Sequence, residues 1–192
     1  MARTPEPETP TDIAIVGDLT ERGPDICDKL LGIPPRGECT LYFDSPGGSA
    51  YAAVSLLTLI ATRELRATGI VIGECSSAAI WPLAACQRRI VTPFSVLLFH
   101  PLKWQSEENI GLAEAAEWAR HFGDLEKGMD ELLATFLGVP IEKLIAWMQP
   151  GRYVSGQEFA AAGLAEIIDL TSLAPGAPGA GGVHTSSRKK HK

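Results

Sequence analysis

Three short stretches hold residue types that can do chemistry at the spacing it needs. The first is Asp44-Ser45-Pro46-Gly47-Gly48, between an apolar strand-like run and a helical one. Two glycines at a helix start let the backbone approach a ligand closely and leave amides unpaired. Such N–H groups hold an anion or a developing oxyanion. A tight strand-to-helix turn asks for the same glycines. The second is Gly73-Glu74-Cys75-Ser76-Ser77-Ala78-Ala79, where a strand gives way to a small-residue helix at a serine. That puts a hydroxyl and the next backbone N–H at one helix tip, the logic of a nucleophile elbow; Ser76 or Ser77 serves as well as a helix cap. The third is His100, after the apolar run Ser95-Val96-Leu97-Leu98-Phe99 and before Pro101. An imidazole at a strand end is rigid and can reach a neighbouring turn as a general base, or make a structural hydrogen bond. His121, among charges on a long helical stretch, reads as solvated surface.

No metal or cofactor site is expected. The four cysteines, Cys27, Cys39, Cys75 and Cys86, have no CxxC spacing, sit in mostly apolar surroundings and read as reduced, buried thiols. Two of the four histidines lie in the tail, and none clusters at ligand spacing.

The elements that must position these residues alternate. Strands are expected at 12–16, 40–44, 69–73, 89–92, 95–99 and 164–170. Helices are expected at 24–31 (weak and short), 51–67 (apolar nearly all round, hence buried), 77–86 and 140–148. Ser155 and Glu158 form a capping box for a helix ended by Gly163. The longest helix spans 111–137, where Trp118, Phe122, Leu125, Met129, Leu132 and Phe136 recur at spacings of four and three, one apolar stripe with charge opposite. Gly138 and Pro140 stop it. Such alternation means an α/β class with much parallel pairing. One body, 12–170, lies between a Pro-rich head, 1–11, and a low-complexity Gly/Pro-rich and basic tail, 171–192, both expected to be disordered.

With 192 residues, 45% apolar and 21% charged, a single domain with a sizeable core is expected. The net charge of −6 argues against nucleic acid as the main partner. No apolar run reaches the about 18 residues of a membrane span, and the head lacks the apolar segment of a signal peptide. A cytoplasmic location is expected.

Tyr42-Phe43-Asp44-Ser45-Pro46-Gly47-Gly48-Ser49-Ala50, the Gly73–Ala79 run continuing into Ile80-Trp81-Pro82-Leu83, and Thr92-Pro93-Phe94 leading to His100-Pro101-Leu102, in that order, resemble the proteolytic subunit of the Clp protease. The long helix and 151–170 continue the likeness. Ser-Pro-Gly-Gly alone is shared with signal peptide peptidase A and the wider crotonase-like superfamily. The resemblance implies a crotonase-like ββα spiral with a long handle helix joining two heptameric rings. It implies Ser77 as nucleophile, His100 as general base and the Gly48 and Ala78 amides as oxyanion hole. It also implies a peptide or unfolded-protein substrate, and as partners copies of the chain, a paralogue or an AAA+ unfoldase, with neither membrane nor nucleic acid. Three departures stand out. Gly151 occupies the place of the third triad residue, an Asp in the family. Only eleven residues precede the first strand, where the family has loops that meet the unfoldase. The stretch before Ser-Pro-Gly-Gly is a few residues short. Two readings follow, a serine peptidase weakened at Gly151, or a non-catalytic subunit that assembles with an active paralogue. A crotonase-like acyl-CoA enzyme ranks below both. On the first reading, an Asp at 151 should raise activity.

Overall fold

Short apolar runs that alternate in burial build one mostly parallel sheet, and the candidate residues lie at its strand ends. The computed structural model describes residues 11–104 and 109–175; residues 1–10 of the head, 176–192 of the tail and 105–108, in the stretch leading into the long helix, lie outside the described residues. Strands β1 (Thr11–Val16), β2 (Glu38–Ser45) and β3 (Arg66–Cys75) lie side by side and parallel, with Ile13 opposite Leu41 and Leu41 opposite Gly69. β4 (Arg88–Val91) and β7 (Glu166–Ile167) complete the order β1-β2-β3-β4-β7. β5 (Val96–Phe99) pairs with the end of β3 at Glu74–Val96, and antiparallel with β6 (Arg152–Ser155). The helices are α1 (Leu19–Gly32), α2 (Ala50–Thr62), α3 (Ile80–Ala84), the 26-residue α4 (Leu112–Leu137), α5 (Ile141–Met148) and α6 (Gly156–Ala161). This is the expected α/β class with a long helix.

Ile13, Ile15, Leu41, Phe43 and Val71 of the sheet are buried beneath Leu56 and Ile60 of α2 and Leu30 of α1. Phe99 at the end of β5 packs on Trp147 of α5 (centroids 5.1 Å apart) and Phe159 of α6 (6.4 Å). Two buried rings and the partly buried Trp147 anchor the strand that leads to His100.

Several boundaries differ from the sequence reading. α1 starts at Leu19 rather than 24, because the Asp18 side chain caps it by accepting from Thr20 N–H at 2.7 Å. Pro24 lies inside it. α2 stops at Thr62 rather than 67, because Glu64 takes a positive φ of 51° and Leu65 and Ala67 turn into the core with β3. Only one face of α2 is buried. β6 was not expected, and β7 is two residues long rather than seven. A 3₁₀ turn, Leu170–Leu173, runs past the expected boundary at 171. The buried residues of α4 are Met129, Asp130, Leu133, Ala134 and Leu137, all in its C-terminal half; Trp118, Phe122 and Leu125 are only half-buried.

Candidate active site

Ser77 sits where β3 ends and a 3₁₀ turn (Ser77–Ala79) leads into α3. Its φ is +52°, a left-handed conformation that non-glycine residues rarely hold. Strain of this kind persists only where the surroundings over-determine it. Here they do. Ser76 N–H donates to the Ser45 carbonyl (3.0 Å), and Ser76 Oγ accepts from Leu98 N–H (3.2 Å). With Ser76 1% exposed and its hydroxyl tied to β5, Ser77 is the serine of the pair that reaches the cleft.

The glycine turn closes over the same corner. A Cβ at Gly47 would stand 2.7 Å from the Ser76 carbonyl, 2.7 Å from Ser77 Cβ and 2.8 Å from Ala78 N, so only glycine, here at φ +101°, lets the two turns touch. Gly48, at φ +134°, fits against Asp18 and Thr20 in the same way. The turn is pinned to the loop between β1 and α1. Ser45 Oγ donates to the Gly17 carbonyl (2.6 Å) and accepts from Gly47 N–H (3.2 Å). Leu19 N–H donates to the Gly47 carbonyl (2.7 Å), and Ser49 N–H to Thr20 Oγ1 (3.0 Å). The Gly48 and Ala78 amides donate to no acceptor among the described residues, and both residues line the cleft.

His100 follows β5 and lines the same cleft. Its Nδ1 lies 2.6 Å from the Pro101 carbonyl. A carbonyl only accepts, so Nδ1 carries the proton and Nε2 of the neutral ring is left with its lone pair. No hydrogen bond joins Ser77 to His100. The β5–β6 pairing, Phe99 opposite Arg152, brings Gly151 against His100. A Cβ there would meet His100 Cβ at 3.0 Å and the Phe99 carbonyl at 3.1 Å, and Gly151 holds φ +111°. A carboxylate at 151 would thus start from the backbone side of the histidine, on a strained residue, which removes the basis for expecting Asp to help there.

The cleft, of about 340 Å³, has Ser77, Ala78 and His100 on one side and α4 on the other. Trp81 Nε1–H donates to the Met129 carbonyl (3.2 Å) and fixes α4 against α3. Leu102 N–H donates to Glu126 Oε1 (2.8 Å), tying the stretch after His100 to α4. Trp104 stacks on Phe122 at 5.6 Å. His121 is exposed, as expected of it, and also meets the Tyr51 hydroxyl at 2.9 Å.

Asp130 was missed by the sequence reading. It is 7% exposed, lines the cleft and has no hydrogen-bond partner among the described residues. Burial, and then the charge of Glu126, push its carboxyl up to about 6. One signal was available: position 130 shares a helical face with Leu133, Ala134 and Leu137. All four cysteines are free, with Cys39, Cys75 and Cys86 buried. Among the described residues no cluster of His, Cys, Asp and Glu can hold a metal, and no helix is long and apolar enough to cross a membrane.

The family model described as Clp protease matches residues 15–170. A curated relative, the ATP-dependent Clp protease proteolytic subunit of Ostreococcus tauri, is 27% identical over 140 residues, 70% of this chain and 67% of the relative.

Proposed function

The chain belongs to the Clp protease family, and we propose that it is a serine peptidase in which Ser77 and His100 hydrolyse peptide bonds. Ser77 Oγ attacks the carbonyl carbon while His100 Nε2 takes its proton. The oxyanion is held by Gly48 and Ala78 N–H, the proton passes to the leaving amine, and water then resolves the acyl-enzyme by the same route. The observation that carries this reading is the Ser77 corner: a serine at positive φ at a helix start beside a glycine turn, with one amide from each turn, Ala78 and Gly48, unpaired among the described residues.

The Pro101 carbonyl does part of what a triad acid does. It fixes the tautomer of His100, but a neutral carbonyl stabilises an imidazolium less than a carboxylate does. Turnover of small peptides is therefore expected to be slow, and Ser77→Ala should abolish it. The chain acts as a ring-type homo-oligomer, in which α4 and its exposed Leu112, together with half-buried Trp118 and Phe122, meet another copy. A paralogue or an AAA+ unfoldase is the further partner proposed. The test is hydrolysis of fluorogenic peptides by assembled protein, with light scattering on the same sample. Turnover lost in Ser77→Ala supports the reading. An assembled ring with no turnover supports a non-catalytic subunit, a reading favoured by Gly151 and by the missing Ser77–His100 hydrogen bond.

A further inference from the structure

The cleft beside Ser77 has apolar walls and one acidic group in its floor. Trp81, Met129 and Met148 supply the walls, and Asp130 is the acid, more than nine-tenths buried, unpartnered among the described residues and part of the cleft lining. Burying a carboxylate without a partner is costly. Among the described residues neither a backbone amide nor an arginine reaches Asp130, and burial and the charge of Glu126 both work against its ionised form. A ligand that brings a cation along an aliphatic stem would satisfy both the walls and the floor. The volume of about 340 Å³ accommodates one such side chain.

We propose that Asp130 makes this cleft a receptor for a side chain that ends in a cation, so that lysine or arginine is the residue held beside Ser77. The claim about cleavage rests on the peptidase reading above; the claim about binding does not. Four other titratable groups face the cleft. Tyr51, on α2, meets His121 through its hydroxyl at 2.9 Å. Glu126, one turn earlier on α4, adds negative charge but is engaged by Leu102 N–H. Lys103 is exposed and makes no ion pair with Asp130. His100 is held by the Pro101 carbonyl. With its carboxyl raised to about 6, Asp130 is ionised at neutral pH and takes up a proton as pH falls below that value.

The test uses the full-length Ser77→Ala protein, so that bound peptide is not consumed. Calorimetry compares two acetylated tripeptide amides that differ only in a C-terminal lysine or its neutral isostere norleucine. At pH 7.5 the lysine peptide is expected to bind about tenfold tighter or more. Adding Asp130→Asn should erase that difference and leave norleucine binding within about threefold. At pH 5 the preference should shrink in protein that keeps Asp130, and should not change with pH in Asp130→Asn. Failure of the lysine peptide to bind, equal affinity of the two peptides, or a lysine preference that survives Asp130→Asn overturns the proposal. Protein with Ser77 intact distinguishes the two readings. Preferential lysine binding without hydrolysis leaves the receptor standing and sinks the peptidase reading; hydrolysis with no lysine preference does the reverse.

Discussion

On the Ser77 side of the cleft, position is set by backbone. Ser76 is bonded to β2 and β5, Gly47 touches the serine corner directly, and Ser45, Leu19 and Thr20 hold the glycine turn to the loop after β1. On the His100 side, position is set by few contacts. Among the described residues the ring has one hydrogen bond, to the carbonyl of the next residue, and the stretch beyond it is tied to α4 through Leu102 and Glu126. Phe99 anchors the strand through Trp147 and Phe159, whereas among the described residues His100 itself is held only by its bond to Pro101 and by the close approach of Gly151. The proposed nucleophile is thus pre-positioned by the core, as a left-handed serine requires. The proposed base is positioned locally and relies on a carbonyl in place of an acid.

Substitutions on the two sides should therefore fail differently. The largest effect is expected at His100. His100→Ala should lower kcat/KM by roughly 10³-fold or more, with thermal stability nearly unchanged. A large loss of stability there would mean the imbalance between the two walls has been misjudged. Gly47→Ala comes next. A Cβ at 2.7 Å from the Ser76 carbonyl and Ser77 Cβ, at φ +101°, should destabilise by about 2–4 kcal/mol, read as a lowered denaturant midpoint. A stability within 0.5 kcal/mol of wild type, a threshold set by ordinary surface changes of about that size, would show that the turns are not in contact.

Gly151→Asp should cost about 1–2 kcal/mol for its positive φ and should not raise turnover. A clear gain would mean that a carboxylate can reach Nδ1 past the His100 backbone and displace the Pro101 carbonyl. The smallest effect belongs to Ser76→Ala, which strips the acceptor from the half-buried Leu98 N–H. About 1–2 kcal/mol of stability should be lost, while peptidase activity stays within a few-fold of wild type. Loss of activity with stability intact would move the nucleophile to Ser76.

The motif-bearing turns were legible in the sequence because glycine and serine at a strand–helix junction carry their geometry locally. Ser77, Gly48 and His100 do line one cleft. What was not legible depends on tertiary partners. The end of α2 is decided by Glu64 at φ +51° and by Leu65 finding the core, against an Ala/Leu-rich run that favours helix. β6 is a strand because β5 lies beside it. The apolar stripe read on α4 marked half of a helix whose buried face carries Asp130, and no pattern of apolar residues shows an acid that the fold buries. Pro101 reads as a breaker, and its carbonyl acquires a role only when the ring of His100 folds back on it.

The central claim is that Ser77 is an activated nucleophile, and labelling by a fluorophosphonate probe followed by peptide mapping tests it most directly. The expected result is a single adduct on Ser77 in wild-type protein, absent in Ser77→Ala, retained in Ser76→Ala and strongly slowed in His100→Ala. No adduct on folded protein, or an adduct on Ser76, would contradict it.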